Sequence, residues 1–122
     1  MVLVDTSVWI NHLRNSDHHL EKLLFDGEVI CHPHIIGELA CGNMKNRQEI
    51  ISLLQALPQT PLIEFDEFLY FIEQNQLHGK GIGFVDIHLL ASAKLAKALL
   101  WTTDKRLKTA STELNINYIK KR

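Results

Sequence analysis

Four carboxylates pose the chemical question: Asp5, Glu38, Asp86 and Asp104. Three of them stand where the pattern of the chain changes. Val2-Leu3-Val4 is an apolar run that stops at Asp5, and Leu99-Leu100-Trp101-Thr102 is another that stops at Thr103-Asp104. Such runs, with no polar alternation, suit parallel strands buried on both faces. In open α/β sheets ligands bind beyond the carboxyl ends of the strands, so these two aspartates are placed at one sheet edge. Asp86 opens a segment that is apolar nearly all round, which reads as a central buried helix starting at that edge. Each aspartate is also a good helix cap, as are Thr6 and Ser7. Glu38 is different. It lies mid-helix, three residues after Ile35 and one before Leu39, on or near an inward apolar face, where it is either a border side chain reaching water or part of a common site. Two unit charges about 4 Å apart repel by about 4 kcal/mol at an effective dielectric of 20. Four carboxylates in one place therefore take up protons or bind cations. No histidine pair or thiolate accompanies them, and an all-oxygen set favours Mg²⁺ or Mn²⁺ over Zn²⁺. The chemistry open to such a site is metal-assisted hydrolysis of a phosphodiester.

The elements that must position these groups alternate along the chain. A strand over 2–4 leads into a helix from Val8, and Asn15-Ser16-Asp17 caps a second helix over 18–25 with Leu20, Leu23 and Leu24 on one face. Asp26-Gly27 is a turn, Glu28–His32 a short strand, and Pro33 the first residue of a helix that stops at Gly42-Asn43. A fourth helix runs from Asn46 or Arg47 to Leu57 and is closed by Pro58 and Pro61. Leu62–Phe65 reads as a strand, Asp66 as the cap of a helix over 67–77, and 78–85 as a glycine-rich connection without phosphate-loop spacing. After the Asp86 helix come a strand over 99–102, a basic helix over 105–114 and a last strand over 115–119. This order predicts one domain over 1–122, a three-layer α/β/α sandwich with a mostly parallel central sheet and right-handed crossovers.

The chain of 122 residues is 46% hydrophobic and 22% charged, ordinary for a globular domain. No apolar run approaches the ~20 residues of a membrane span, and no basic stretch precedes the first apolar residues, so no membrane association and a cytoplasmic location are expected. Cys31 and Cys41 fit no zinc spacing and read as buried free thiols. The net charge of −1 hides an asymmetry: 94–122 holds eight basic and two acidic residues, 1–93 five basic and twelve acidic. A basic end on an acidic body points to a polyanionic partner on one side, or to a solvated face and a frayed terminus.

Four segments together resemble a known family. Leu3-Val4-Asp5-Thr6-Ser7, Ile36-Gly37-Glu38-Leu39, Val85–Ala93 and Leu100–Leu107 are similar to the four acidic motifs of PIN domains, and more narrowly to those of VapC toxins, the ribonuclease partners of VapB antitoxins. Order, spacing and length agree over the whole chain. The resemblance implies a PIN-like α/β/α fold and a Mg²⁺- or Mn²⁺-dependent endoribonuclease site in which Asp5, Glu38, Asp86 and Asp104 are catalytic and hold the metal, Asp5 and Asp86 most directly. It also implies Thr6, Ser7 and Thr102 as supporting hydroxyls, a homodimer, a VapB-like antitoxin, and structured RNA such as tRNA or rRNA as substrate. Leu107 departs from the pattern, standing where an aromatic is frequent.

The remaining candidates read more plainly. Lys105, Arg106 and Lys108 follow Asp104 and suit RNA phosphates. His88 should point away from Asp86, two positions before it. His32 and His34 flank Pro33 without helical ligand spacing and read as local packing. Trp9 reads as core or dimer face rather than a base-stacking residue. The apolar stripes of 18–25 and 47–57 are the expected dimer faces. Two rival functions stand beside the nuclease: a catalytically inactive module of the same fold that docks a partner's arginine or RNA, and a phosphoryl-transfer domain with Asp5 as nucleophile. Glu38 discriminates against the first, and the lack of a well-placed lysine against the second.

Overall fold

Val2, Leu3 and Val4 are all buried, which is possible only for a central strand. The computed structural model, described over residues 1–120, places β1 (Val2–Val4) between β2 (Val29–Ile30) and β3 (Leu99–Trp101), both parallel to it. Val2 pairs with Val29 and Leu99, Leu3 with Ile30 and Leu100, and Val4 with Trp101. Seven helices surround these strands among the described residues: α1 (Thr6–Asn15), α2 (His18–Phe25), α3 (Pro33–Cys41), α4 (Arg47–Ala56), α5 (Phe65–Asn75), α6 (Phe84–Leu95) and α7 (Lys105–Glu113). The outcome is the expected α/β arrangement with a parallel sheet. The core is built from the three strands and from α6, whose residues 87–93 are all buried. A helix without a polar face must lie inside. It packs on β3 and α5, while α3 packs on α1 and α4.

Several local expectations are corrected. Leu62–Phe65 is not a strand. Leu62 is 58% exposed, and the helix begins earlier than Asp66, at Phe65, where Glu67 reaches back to accept from the Glu64 N–H. The expected strand over 28–32 is reduced to Val29–Ile30, with a bridge from Cys31 to Gln59. The last strand shrinks to one parallel bridge between Leu100 and Asn117, held by the bonds Leu100 N–H to Ile116 O and Tyr118 N–H to Leu100 O. Cys31 is buried, its thiol pushed up to about 11 chiefly by burial, but Cys41 is exposed because it ends α3 at the surface. Lys121 and Arg122 of the basic end lie outside the described residues. Among the described residues no helix is long and apolar enough to cross a membrane.

Candidate active site

Asp5 follows β1 directly, and its N–H is bonded to the Trp101 carbonyl at the end of β3. The ends of the two strands are therefore one place, as the parallel sheet requires. Asp5 occupies the N-cap position of α1 but makes no side-chain cap bond. Its Oδ2 instead accepts from Thr102 Oγ1 at 2.7 Å and Ser7 Oγ at 2.9 Å. Capping thus fails to explain this carboxylate, which is held by hydroxyls from two different junctions. Thr102 also accepts from the Asp104 N–H at 3.0 Å, and Ser7 accepts from the Thr103 N–H at 3.2 Å. The β1–α1 and β3–α7 turns are so laced together that moving one moves the other.

Asp104 does cap α7, its Oδ1 accepting from the Leu107 N–H at 2.9 Å. Asp86 is the third residue of α6 rather than its first, and its Oδ2 accepts from the Gly83 N–H at 3.3 Å. Capping accounts for one oxygen of each. Glu38 is a correction: it is not on an inward face but exposed, with Oε1 accepting from Thr6 Oγ1 at 2.6 Å. That bond ties α3 to the start of α1 and turns Glu38 toward the same cleft. Glu38 also lines a groove of about 430 Å³ whose walls include Ile10, Leu13, Leu39 and Met44, with Arg14 and Lys45 at its rim. Neither of these two cations was singled out by the sequence, since only their place beside Glu38 marks them.

The electrostatics bring the four together. The Asp86 carboxyl is raised above the ordinary range, first by burial and further by the charges of Asp5, Asp104 and Glu38, against a lowering by the Gly83 N–H. No basic side chain forms an ion pair with any of the four among the described residues. Nor are three of them drawn into a closed ligand cluster among the described residues. Relief of this repulsion should be measurable. Asp86→Asn keeps an acceptor for Gly83 and removes a charge that three neighbours disfavour. In chelator it is expected to raise stability by up to roughly 1 kcal/mol after solvent screening, a few degrees in Tm. A thermal melt in EDTA checks this, and a lowered Tm would contradict it.

The histidines lie apart from the carboxylate oxygens. His32 is fully buried and caps α3 with its own ring, Nδ1 accepting from the His34 N–H at 2.9 Å. His88 is buried among His34, Phe68 and Phe84. Trp9 is 4% exposed and belongs to the core. Lys105, Arg106 and Lys108 are exposed on the first turn of α7, and Arg106 lies against Gly81, where φ is +73° and a Cβ would stand 2.7 Å from the guanidinium.

Comparison with known proteins agrees with this geometry. The PIN domain family model matches residues 2–112. Ribonuclease VapC32 from two strains of Mycobacterium tuberculosis, CDC 1551 / Oshkosh and ATCC 25618 / H37Rv, is similar to this chain. In each case the identity is 49% over 117 residues, covering 95% of this chain and 94% of the relative. A strand-end aspartate braced from two turns, three further carboxylates round the same cleft and this similarity along nearly the full length have one reading: the chain belongs to the PIN-domain family, as a VapC-type member.

Proposed function

We propose that this protein is a Mg²⁺- or Mn²⁺-dependent endoribonuclease, the toxin of a type II toxin–antitoxin pair, which hydrolyses phosphodiester bonds in tRNA or rRNA. The observation that carries this reading is the charge balance of the cleft: Asp5, Asp104 and Glu38 all act on Asp86, and no described basic side chain is paired with any of them. The name ribonuclease borne by the mycobacterial relatives supports it. The donors fit a divalent cation, being all oxygen and mutually repelling without one. Asp5 and Asp86 would hold it most directly, with Glu38 and Asp104 completing the set. A bound cation supplies an acidified water and charge stabilisation at the leaving oxygen.

The chain's own residues do the positioning. Thr102 and Ser7 converge on Asp5 Oδ2, so Oδ1 is the oxygen left to a ligand. Thr6 fixes Glu38 Oε1, leaving Oε2 to orient a water. Lys105, Arg106 and Lys108 hold RNA phosphates beside Asp104. A VapB-like antitoxin segment fits the groove beside Glu38, apolar on its walls and cationic at its rim. The protein works as a single domain over 1–122 in the cytoplasm and pairs as a homodimer. Phe25 of α2, 92% exposed, and Leu53 of α4, 62% exposed, support those helices as its faces.

Purified protein incubated with total RNA is expected to produce discrete fragments in Mg²⁺ or Mn²⁺, none in EDTA, and fragments again when metal is restored. RNA left intact in both metals would end the reading. Binding without cleavage would leave the docking module in its place.

A further inference from the structure

Between the connection over 78–83 and α7 lies a groove of about 370 Å³, lined by Lys80, Lys105, Arg106, Thr109, Ala110 and Glu113. Two glycines shape its first wall. Gly79 and Gly81 flank Lys80 at φ +71° and +73°, a backbone region that favours glycine. Lys80 reaches across to α7, where its Nζ donates to Glu113 Oε2 at 2.9 Å, 33 residues away. Arg106 lies against Gly81 in the space a Cβ would need. The second wall is α7 itself. Lys105, Thr109 and Glu113 are four apart and share a face, which runs for about 12 Å from the start of the helix. Both walls lead to the carboxylates. One ends at Gly83, whose N–H donates to Asp86 Oδ2, and the other begins with Asp104, the cap of α7. Asp104 is near enough for its charge to act on Asp86.

We infer that this groove is a subsite for a backbone phosphate of the RNA beyond the one being cut, that Lys80 joins Lys105 and Arg106 in holding it, and that Glu113 occupies Lys80 when no RNA is bound. The inference rests on the ribonuclease reading above, to which it adds Lys80 and Glu113. Cations on two facing walls can bracket a phosphate from both sides, as a row along one helix cannot. Lys108, on the same helix, does not line the groove. The Glu113 carboxylate already shows an oxyanion held by Lys80 within the groove, and a phosphate oxygen competes for the same Nζ. The displacement costs little. The Lys80 and Glu113 side chains are 39% and 54% exposed, and an ion pair so open to water is weak. Glu113 therefore acts as a brake on binding: it occupies one cation and repels the incoming phosphate.

The test uses the Asp5→Asn protein in Mg²⁺, with bulk tRNA and fragmented rRNA as probes, each labelled with fluorescein, and anisotropy as the readout. Adding Lys80→Ala should weaken binding by about 5- to 10-fold at about 0.1 M KCl, the loss of one phosphate contact, with the gap closing as KCl is raised. Lys22→Ala, which removes the same charge from the exposed face of α2, should change binding by less than about twofold. Adding Glu113→Gln should tighten binding by about 2- to 5-fold, and this gain should shrink when Lys80→Ala is also present. These side chains are exposed, so the variants keep the fold. Unchanged affinity of the Lys80→Ala protein overturns the inference alone, as does an equal loss with Lys22→Ala. Glu113→Gln binding no tighter than its parent, or gaining as much without Lys80, overturns it too. If the Asp5→Asn parent binds neither RNA, the ribonuclease reading fails and the phosphate subsite with it.

Discussion

Asp5→Asn is expected to lower the rate of RNA cleavage by on the order of a thousandfold or more, about 4 kcal/mol of lost transition-state stabilisation. The substitution is nearly isosteric, and its amide oxygen can still accept from Thr102 and Ser7, so the geometry of the two strand-end turns persists. What disappears is the negative charge on the one carboxylate of the four that is buried at the sheet edge, 6% exposed. A charge-assisted bond becomes a neutral one, which costs about 1 kcal/mol of stability. A thousandfold loss of rate with so small a loss of stability separates chemistry from folding. Thr102→Val gives the graded companion. It removes the hydroxyl that donates to Asp5 and accepts from the Asp104 N–H while keeping the charge. Residues that orient a ligand from behind typically cost 10- to 100-fold when lost, and the same range is expected here. Single-turnover cleavage of a defined RNA, with thermal melts of each variant, measures both. An Asp5→Asn protein cutting at the parent rate would remove Asp5 from the site.

Much of this site is legible in the sequence because its aspartates sit at strand ends, and strand ends are marked by abrupt changes of residue type. Val2-Leu3-Val4 into Asp5, and Leu100-Trp101-Thr102 into Asp104, carry their geometry in the parallel pairing rule itself. Thr102 is legible for the same reason, although not that one hydroxyl serves both Asp5 and Asp104. Glu38 is marked by its sequence for the wrong reason. Its place three residues after Ile35 suggests burial, whereas the structure exposes it and turns it by a hydrogen bond from Thr6, 32 residues away. Periodicity along one helix carries no record of such a contact. Leu62–Phe65 misleads because a short apolar run looks alike whether it fills a sheet or covers a surface. His88 is far from His32 and His34 in the chain, and only the packing of α6 on the start of α3 makes their rings neighbours.

That packing has a consequence in acid. His32 must remain neutral to do its work: Nδ1 needs its lone pair to receive the His34 N–H, and Nε2 lies 3.2 Å from Ser92 Oγ, which in turn donates to the Pro61 carbonyl at 3.0 Å. Burial, with His34 and His88 adding repulsion, lowers its pKa to about 4 from the ordinary 6.5. Between those values the unfolded chain binds the proton and the folded protein does not. Stability is therefore whole above about pH 6.5 and falls as the pH drops toward 4, by roughly 3 kcal/mol for this group. Asp86, whose carboxyl is raised, works in the opposite sense, gaining as its charge is removed at lower pH. The two slopes are separated by His32→Asn, since asparagine can cap α3 but has no proton to take up. In urea titrations between pH 7.5 and 4.5 in EDTA, the parent should lose midpoint steadily, while His32→Asn starts lower, from lost packing, and declines less. If the variant followed the parent's slope, another group would be responsible. The expected loss also reaches the cleft, because protonation of Nδ1 sets its N–H against the first amide of the helix that presents Glu38. Cleavage should then fall with acid in parallel with the His32 titration, read as the pH dependence of its ring carbon shifts by NMR.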